Sequence, residues 1–487
     1  MSEVIPHWLT KQAGLAPEQT AIEYVNGNTM SFLELKETSQ RFARQLAHIG
    51  VQKGSHVGIL SNNNAAMVIA LHALSYLGAV SVMLNTRLTG EELNYQLNDA
   101  EVSLVLTSDK LINDIEQMNL SVSVKTFTEI TGLPESDVKL MTELYLDDPF
   151  TIIYTSGTTG FPKGVIHTYG NHWWSAIGSA LNLGLSAGDK WLATLPIFHV
   201  SGLSIFMKSV IYGMPVYLLE KFDEMVVHDA IMSRGVTIVS VVTVMLQRLV
   251  KLIGGERYPD AFRCMLLGGG PAPKPLLEKA KARNIPVFQS YGMTETSSQI
   301  VTLSPKDALN KIGSAGKALF PAQLQVAHPT DDPVGEIFVK GPMVTKGYFK
   351  KAEVTKKTIQ DGWLATGDLG YLDEGGFLYV VDRRKDLIIS GGENVYPTEV
   401  ESVLSGMEQI DEVGVVGKVD EEWGQVPVAF VVADGQVTGQ EIIQYAQNYL
   451  ATYKLPKHIY FVDSLPRNAS NKLVRTELVK WLERMKK

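Results

Sequence analysis

The segment from Tyr154 to Gly164, Y-T-S-G-T-T-G-F-P-K-G, constrains the fold more than any other part of the chain. Threonine, serine and glycine occupy seven of the ten positions from Thr155 onward, which is too much glycine for a stable helix. The apolar residues 150–154 before it predict a buried strand. Hydroxyls and backbone N–H groups in such a loop can surround an anion. A buried strand followed by this loop therefore indicates a site for a nucleotide phosphate.

The loop does not match the Walker A motif, which requires G-x-x-x-x-G-K-[ST]. Gly157 and Gly160 are too close together, and Lys163 is followed by Gly164 instead of a hydroxyl that could bind magnesium. This spacing excludes a P-loop NTPase. An ordinary flexible loop is the simpler alternative, but a Ser/Thr/Gly cluster that ends in Pro-Lys-Gly after a buried strand is uncommon.

Composition excludes several other classes of protein. The chain has 487 residues, of which 45% are hydrophobic and 20% charged, as in ordinary globular proteins, and this length predicts about three domain-sized units. The net charge of −8 argues against nucleic acid as a partner, since that would favour a basic face. The single cysteine, Cys264, permits no intrachain disulfide, is expected in the core, and fits a cytoplasmic location.

No membrane partner is expected either. The N-terminus lacks the basic and apolar regions of a signal peptide. The most apolar long stretch, residues 67–84, is interrupted by polar residues and by Gly78, which suits a helix end. It therefore predicts a buried helix followed by a buried strand. The sequence leaves the oligomeric state open, including a homo-oligomer.

Helical patterns alternate with short β-branched runs through most of the chain, which predicts an α/β fold with largely parallel sheets. Beyond residue 325, residues 335–339 and 376–381 predict shorter antiparallel strands, and the charged residues 382–386 predict a linker. The clearest of the alternating elements are predicted strands at 57–60, 103–107, 215–219 and 237–241, and predicted helices at 32–49, 225–234 and 275–283.

Five further blocks follow the loop: residues 195–202 (LPIFHVSG), 289–296 (QSYGMTET), 366–370 (TGDLG), 382–397 (DRRKDLIISGGENVYP) and 466–472 (PRNASNK). Together with the loop they resemble, in the same order, the adenylate-forming superfamily, which includes acyl-CoA synthetases, peptide-synthetase adenylation domains and firefly luciferase. Six blocks in register over more than 300 residues identify the chain as a member.

The resemblance implies a two-domain α/β fold. Residues 1–384 would form a large N-terminal domain of stacked, mostly parallel sheets with helices and a small barrel-like part. Residues 385–487 would form a small, mobile α+β C-terminal lid that rotates about Lys385. From the residues alone, Lys385 fits a solvated surface lysine equally well.

In this superfamily a carboxylate attacks the α-phosphate of ATP, pyrophosphate leaves, and a thiol then displaces AMP from the acyl-adenylate. Both steps require phosphate charge to be neutralised and the reacting oxygens to be held in line. The resemblance therefore implies ATP, Mg²⁺ and coenzyme A, all small molecules, as the partners. It assigns the β- and γ-phosphates of ATP to Thr155, Ser156, Gly157, Thr158, Thr159 and Lys163.

The later blocks supply the rest of the nucleotide site by resemblance. Glu295 would bind Mg²⁺, for which one carboxylate with phosphate oxygens and waters is a normal ligand set; outside the motif it would be read as a surface carboxylate. The T-G-D sequence around Asp368 also fits a simple turn. The implied contacts are Tyr291 stacked on adenine with Gly292 beside it, Thr294 on the α-phosphate, Asp368 on both ribose hydroxyls, and Arg383 on the ribose or phosphates.

Lys472 resembles the C-terminal lysine that bridges the attacking carboxylate and the α-phosphate, a task that suits a compact ammonium group. A tail lysine among many is the alternative, although the turn-like residues 466–471 set it apart. His199 would border the carboxylate and thiol sites, or would be structural. Gly391 and Gly392 would line the coenzyme A tunnel, because glycine allows close backbone approach.

The acyl substrate is predicted from local similarity. Peptide-synthetase adenylation domains carry an aspartate where His199 stands, so an amino acid is disfavoured, and free coenzyme A is the expected acceptor. Residues 6–11, 171–182, 266–273, 289–303 and 466–473 are similar to the o-succinylbenzoate–CoA ligases of menaquinone biosynthesis. Another aryl- or medium-chain acyl-CoA synthetase is the alternative; a luciferase-like oxygenase or a non-catalytic ligand-binding relative is less consistent with the motifs.

An aromatic dicarboxylate would require flat apolar walls and one cation in its pocket. Lys208 stands alone in the apolar stretch 203–213, where it would either extend to solvent or pair with the substrate. The candidate substrate residues are Lys208, Gly268, Gly269, Gly270, Ser298, Gln299 and Thr302.

Overall fold

The computed structural model describes residues 3–155, 162–270, 272–327, 334–383, 386–390, 393–420, 423–433, 435, 437–450, 452–468 and 472–485, with the backbone alone at 382–383, 389 and 393–394. Its strands are β1 Val4–Pro6, β2 Thr20–Tyr24, β3 Thr29–Ser31, β4 His56–Leu60, β5 Val80–Leu84, β6 Leu104–Thr107, β7 Ser123–Thr126, β8 Glu143–Tyr145, β9 Pro149–Thr155, β10 Lys163–Thr168, β11 Trp191–Ala193, β12 Val216–Leu218, β13 Ile238–Val241, β14 Cys264–Leu267, β15 Val287–Met293, β16 Ser298–Leu303, β17 Lys317–Ala318, β18 Gln323–Ala327, β19 Gly335–Lys340, β20 Gly347–Tyr348, β21 Ile359–Gln360, β22 Trp363–Leu372, β23 Leu378–Arg383, β24 Ile388–Ser390, β25 Glu393–Val395, β26 Ile410–Asp420, β27 Gly424–Ala433 and β28 His458–Phe461.

The helices are α1 Trp8–Leu15, α2 Phe32–His48, α3 Ala65–Leu77, α4 Gly90–Asp99, α5 Ile112–Gln117, α6 Phe127–Thr131, α7 Tyr169–Leu183, α8 Val200–Tyr212, α9 Glu224–Ser233, α10 Thr243–Leu252, α11 Lys274–Ala282, α12 Ala352–Thr358, α13 Pro397–Leu404, α14 Gly439–Ala446 and α15 Arg475–Met485. Short 3-10 helices cover Thr294–Thr296 and Thr452–Lys454.

A seven-stranded sheet in the order β20-β10-β9-β5-β4-β6-β7 carries the glycine-rich loop. Strands β9, β5, β4, β6 and β7 are parallel to one another, as expected where helices connect successive strands. Strand β10 is antiparallel to β9. The loop therefore lies between two adjacent antiparallel strands, at the carboxyl end of β9.

A nine-stranded sheet in the order β17-β16-β15-β14-β13-β11-β12-β2-β3 carries the second group of motifs. It is parallel from β2 to β15, and β16 returns antiparallel to β15. Ligands of open α/β sheets bind beyond the carboxyl ends of parallel strands. Here β14 leads at that edge into Gly268, and β15 leads into the 3-10 helix Thr294–Thr296.

Helix α3 lies within the core that the two large sheets share. One hydrophobic cluster contains Ile59 of the seven-stranded sheet, Trp191 of the nine-stranded sheet, and most of α3. The Asn64 side chain caps the first turn of α3, and Gly78 ends the helix with a left-handed φ of 66°. A helix that is apolar on every side must be buried. The predicted helix followed by a buried strand within residues 67–84 is thus confirmed.

A five-stranded antiparallel sheet follows, in which β18, β19, β22 and β21 are neighbours and β23 pairs with β22. Its core includes Ile337, Val339 and Leu364, and it packs against Ile300 and Val301 of the nine-stranded sheet. This sheet is the small barrel-like part that the resemblance implies. It brings β22, with Asp368, close to β15.

Residues from 386 onward contain two hydrophobic clusters of their own, one on each face of the β26–β27 hairpin. Leu404 and Ile442 lie in one cluster, and Leu478 lies in the other. The sheet order is β25-β24-β27-β26, with β28 parallel to β27. The Thr398 hydroxyl donates a hydrogen bond to the Val381 carbonyl, which joins α13 to β23.

The α/β fold class is confirmed, and Cys264 is fully buried in the core as expected. The predicted linker at 382–386 is only partly correct, because β23 continues through Arg383. Pairing with β22 overrides the charged sequence there, since the hydrogen bonds of an antiparallel ladder join backbone groups. Within the described ranges, no helix is long and apolar enough to cross a membrane.

Candidate functional site

The two ends of the glycine-rich loop lie directly opposite each other. Thr155, the last residue of β9, pairs with Lys163, the first residue of β10. Lys163 therefore projects from a fixed strand position at the mouth of the loop. The predicted phosphate contacts Ser156, Gly157, Thr158 and Thr159 lie outside the described residues.

Helix α4 contacts both ends of this loop. The Tyr154 hydroxyl donates a 2.8 Å hydrogen bond to Oδ2 of Asp99, and the Tyr95 hydroxyl donates a 3.2 Å bond to the carbonyl of Pro162. Asp99 also forms a 3.1 Å ion pair with Lys351. Burial and the neighbouring Asp99 carboxylate raise the pKa of Tyr154, so its hydroxyl stays protonated and donates. The loop thus connects two tethered positions.

Lys163 and Glu295 both contact one tyrosine. The Nζ of Lys163 lies 5.0 Å from the ring centroid of Tyr348, and the Tyr348 hydroxyl donates a 3.0 Å hydrogen bond to Oε1 of Glu295. Burial and the Glu295 carboxylate raise the pKa of Tyr348, so the hydroxyl remains a donor. A cation and a carboxylate, both predicted to act on phosphates, are therefore adjacent.

Glu295 is 7% exposed. Its backbone carbonyl accepts a 2.8 Å hydrogen bond from the Thr345 amide. Among the described residues, no group of three His, Cys, Asp or Glu side chains could hold a metal ion. Any metal here would take one protein carboxylate and fill its other positions with phosphate oxygens and water. That donor set suits Mg²⁺ and does not suit zinc.

Tyr291 and Asp368 lie in contact. The Tyr291 hydroxyl donates a 2.8 Å hydrogen bond to Oδ2 of Asp368, and the Asp368 amide bonds to the Thr366 hydroxyl at 3.1 Å. Asp368 lies opposite Arg383 in the β22–β23 register, which brings the third predicted nucleotide residue to the same place. The Arg383 side chain lies outside the described part.

Gly292 has a structural reason to be glycine. It lies at an irregularity in the β15–β16 pairing, and a Cβ there would be 2.2 Å from the carbonyl oxygen of Ser298. The neighbouring residues Ser297 and Ser298 have positive φ angles of 58° and 146°. Positive φ at residues other than glycine is uncommon and concentrates at functional sites.

Thr294 begins the 3-10 helix that leads into this turn. Its backbone carbonyl accepts a 2.6 Å hydrogen bond from Nε2 of His167.

Lys208 is 1% exposed, on α8. Its Nζ lies 3.5 Å from Oγ of Ser204 and 5.0 Å from the ring centroid of Trp191. Burial lowers its pKa to about 7. Among the described residues, no carboxylate lies within 4.0 Å of this ammonium group, so Lys208 does not extend to solvent and has no acidic partner there.

The other predicted substrate residues lie in two groups near α8 and the carboxyl end of β14. The Ser298 hydroxyl lies 3.4 Å from that of Ser204 and 3.4 Å from Oε1 of Gln299, so both connect to the Lys208 neighbourhood. Thr302 pairs with Ser290 across β15–β16, and a Cβ at Gly268 would lie 3.6 Å from the Ser290 hydroxyl oxygen.

Gly269 and Gly270 have positive φ angles of 88° and 159° and are exposed. Only glycine adopts this sequence of angles without strain, so the backbone there is bare and open to a ligand. His199 precedes the first turn of α8, is partly exposed, and stacks edge-on against Phe198 at 4.7 Å. It therefore lies at the start of the helix that carries Lys208.

Lys472 is exposed, and its backbone is bonded to Asn468 in both directions: its amide donates to the Asn468 side-chain oxygen at 2.9 Å, and its carbonyl accepts from the Asn468 amide at 2.8 Å. Arg467 and Leu473 form an isolated antiparallel bridge, and residues 469–471 between them lie outside the described residues. Lys385, Gly391 and Gly392 lie outside the described residues.

Sequence reasoning missed several residues that the structure brings to these sites, namely Tyr348, Ser204, His167, Tyr95 and Asp99. Except for Ser204, which lies four positions from Lys208 on α8, each is distant in sequence from the residue it contacts; Tyr348 and Glu295 are 53 positions apart. The lone tyrosine in Lys-Gly-Tyr-Phe at 346–349 is the one local signal that could have drawn attention to Tyr348.

Comparison with known proteins agrees with this geometry. The model of the AMP-binding enzyme family matches residues 9–349, and that of the AMP-binding enzyme C-terminal domain matches residues 399–472. The 2-succinylbenzoate–CoA ligase of Oceanobacillus iheyensis is 59% identical, covering 99% of this chain and all of that protein. The ligase of a Geobacillus strain is 54% identical, covering 98% of both.

Solved structures of the o-succinylbenzoate CoA synthetase of Bacillus subtilis are 46% identical to this chain. The complex with the acyl-adenylate intermediate has a TM-score of 0.92 and covers 98% of both chains. The complex with ATP and magnesium ion has the same TM-score and covers 98% of this chain and all of that one. The chain therefore belongs to the AMP-binding enzyme family and, within it, to the 2-succinylbenzoate–CoA ligases.

Proposed function

We propose that this protein joins 2-succinylbenzoate to coenzyme A through an acyl-adenylate, with release of pyrophosphate and AMP. The assignment of the acyl substrate rests on Lys208. Its ammonium group is buried, and no carboxylate of the described residues lies within 4.0 Å of it. A buried charge without a partner is costly, and an anionic substrate group would supply that partner. The family's shared activity supports the same substrate.

The first half-reaction makes one bond and breaks one. An oxygen of the succinyl carboxylate attacks the α-phosphorus of ATP, and the bond to pyrophosphate breaks. Lys163 and the loop after Thr155 hold the β- and γ-phosphates. Glu295 holds Mg²⁺, whose charge, when the ion is bound, offsets that of the phosphates. Tyr348 contacts both Lys163 and Glu295 and so links these two side chains.

Asp368, Tyr291 and Arg383 hold the nucleoside. A carboxylate has two oxygens and can accept from both ribose hydroxyls. Tyr291 already donates to one of these oxygens, which orients the carboxylate before ATP binds. Gly292 allows the β15–β16 turn to be tight, and Thr294 then meets the α-phosphate at the end of β15.

The acyl group binds between α8 and the carboxyl end of β14. Lys208 pairs with the ring carboxylate, while the bare backbone of Gly268, Gly269 and Gly270 lies flat against the aromatic ring. Ser298, Gln299 and Thr302 supply further polar contacts. His199 borders the point where the activated carboxylate meets the thiol.

The second half-reaction transfers the acyl group to sulfur. The coenzyme A thiol sulfur attacks the acyl carbon, its proton passes to solvent, and the bond to AMP breaks. We assign residues 1–384 to one domain and 385–487 to a lid, because the residues from 386 onward have hydrophobic clusters of their own. Lys472 bridges the carboxylate and α-phosphate in the first step, Lys385 serves as the hinge, and Gly391 and Gly392 line the coenzyme A path.

The partners are small molecules. We propose the cytoplasm, where ATP and coenzyme A are used, as the location of the reaction. A homo-oligomer would be compatible with all of these assignments.

The test is a substrate comparison with purified enzyme, ATP, Mg²⁺ and coenzyme A, in which AMP and acyl-CoA are measured. 2-Succinylbenzoate should be used with the highest kcat/KM. 4-Oxo-4-phenylbutanoate, which lacks only the ring carboxylate, should lose about 10- to 100-fold, the worth of a charged hydrogen bond. A medium-chain or other aryl acid used better than 2-succinylbenzoate would overturn the assignment.

A further inference from the structure

Two buried histidines connect the core to the turn that carries Glu295. His167, on β10, is fully buried, and His172, on α7, is 2% exposed. The Nε2 of His167 lies 2.6 Å from the carbonyl oxygen of Thr294. Oγ1 of Thr151, on β9, lies 3.3 Å from Nδ1 of His167 and 3.0 Å from Nε2 of His172. The four groups form one continuous chain of hydrogen bonds.

The direction of this chain follows from donor chemistry. A carbonyl oxygen only accepts, so Nε2 of His167 must carry the proton that it donates to Thr294. A neutral His167 then accepts at Nδ1, and the Thr151 hydroxyl is the donor to it. His172 in turn donates from Nε2 to the Thr151 oxygen. Every bond points toward the Thr294 carbonyl, and burial keeps both imidazoles neutral by lowering the pKa of each.

The turn that receives this bond needs fixing from outside. Its residues Ser297 and Ser298 have positive φ, and such backbone persists only where the surroundings determine it. The Glu295 carbonyl accepts from the Thr345 amide on one side. On the other side, the Thr294 carbonyl accepts from His167, in addition to the Ser297 amide inside the turn. The two peptide groups on either side of the Glu295 Cα are thus held by residues from two other parts of the chain.

We propose that His167 is a positioning residue for nucleotide binding. Through its hydrogen bond to Thr294 it sets the orientation of the Thr294–Glu295 turn toward the phosphates and Mg²⁺ of ATP, and Thr151 and His172 hold its ring in the required tautomer. The inference rests on the proposed roles of Thr294 and Glu295. It adds a residue that acts on nucleotide binding through these two and not by contacting a substrate.

The experiment compares His167→Leu with His167→Gln. Glutamine can place its amide Nε2 near the position of the imidazole Nε2 and donate to Thr294. Leucine removes this bond and leaves the Thr294 carbonyl with only the 3.0 Å bond from the Ser297 amide inside the turn. Binding of a non-hydrolysable ATP analogue with Mg²⁺ is measured by titration calorimetry, without acyl substrate or turnover. The leucine variant should bind about tenfold more weakly and the glutamine variant within about threefold of the unsubstituted enzyme, as expected for the loss of one buried hydrogen bond.

His72→Leu is the matched control, because His72 is also a buried histidine, on α3, but is outside the site. It should change the melting temperature and leave analogue binding unchanged. Equal weakening by leucine and glutamine at His167, or a lower melting temperature with unchanged binding, would overturn the proposal. If His167→Leu does not fold, Thr151→Val breaks the same chain one bond earlier; analogue binding should weaken about threefold, and unchanged binding would count against the relay.

The outcome is separable from that of the proposed function. An enzyme that binds the analogue but makes no acyl-CoA from 2-succinylbenzoate would refute the substrate and leave the His167 comparison standing.

Discussion

The hydroxyl of Tyr291 donates a 2.8 Å hydrogen bond to Oδ2 of Asp368, although 77 positions separate the two residues in sequence. The bond occupies part of the carboxylate that should accept the ribose hydroxyls. It also gives Asp368 a structural partner, so replacing Asp368 affects both nucleotide binding and a part-buried hydroxyl.

Asp368→Ala should raise the KM for ATP by about tenfold or more and lower the melting temperature by only a few degrees, since the loss of one hydrogen bond from a neutral hydroxyl costs about 1–2 kcal/mol. The specific measurement is the KM ratio of 2′-deoxy-ATP to ATP. This ratio should be well above one in the unsubstituted enzyme and close to one in the variant. Tyr291→Phe is the control that breaks the same bond but keeps the Asp368 carboxylate as ribose acceptor. If the KM ratio also falls to about one in this variant, Tyr291 and not Asp368 would distinguish ATP from 2′-deoxy-ATP.

Lys208→Met keeps the length of the side chain and removes its charge. With 2-succinylbenzoate the variant should lose about 10- to 100-fold in kcat/KM, because the ring carboxylate loses a charged hydrogen bond. With 4-oxo-4-phenylbutanoate the loss should nearly vanish or reverse. Similar losses on both acids would show that Lys208 supports the fold and does not select the substrate.

The dissociation constant for 2-succinylbenzoate should depend on pH. Burial lowers the pKa of Lys208 to about 7, while it raises the pKa of the neighbouring Cys264 to about 12 and lowers that of His172 far below 6.5. Only Lys208 in this group therefore titrates near neutrality. Above pH 7 the free enzyme holds a neutral amine, and binding a carboxylate requires proton uptake, so the constant should rise about tenfold per pH unit.

Titration calorimetry at pH 8 in buffers of different ionisation enthalpy measures that proton directly. An uptake close to one proton is expected, and Lys208→Met should show none. No uptake by the unsubstituted enzyme would mean that Lys208 is already charged or does not meet the substrate.

Buried histidines should make the protein sensitive to mild acid. Burial lowers the pKa of His7 to about 3 and those of His72 and His167 to about 4. Between pH 6.5 and 4 the unfolded chain binds these protons and the native chain does not, so stability falls as pH falls, by up to about 1.4 kcal/mol per pH unit for each residue. Urea unfolding at several pH values between 7 and 5 measures how the free energy of unfolding changes with pH. His72→Gln should reduce this slope by the contribution of about one proton.

Lys472→Ala should lower adenylation, followed by ATP–pyrophosphate exchange, by about 100-fold, the scale of losing one transition-state charge donor. Thioester formation from supplied acyl-adenylate should be kept, because the proposed role ends with the first step. Lys480→Ala removes another exposed lysine of the C-terminal region and is the matched control. Equal loss in both half-reactions would assign Lys472 a structural or shared role.

The sequence by itself determined the fold class, the family and most of the local elements. The buried strand that ends at Thr155 and the buried helix that ends at Gly78 both follow from short-range rules of propensity, apolar pattern and backbone freedom. Such rules act over a few residues, so a single sequence displays them. They are less reliable where a strand neighbour intervenes, as at Arg383, which pairing with β22 keeps inside β23.

The tertiary structure decided which side chains meet. Tyr348 reaches Glu295 across 53 positions and His167 reaches Thr294 across 127, and no local pattern encodes either pair. The state of Lys208 was also undecided by sequence, because extension to solvent and burial both fit an apolar helix. Tertiary packing, which includes the contact of Lys208 with Trp191, decides that its ammonium group is removed from water. Desolvation and hydrogen bonding depend on distance in space, which the folded chain sets and the order of residues does not display.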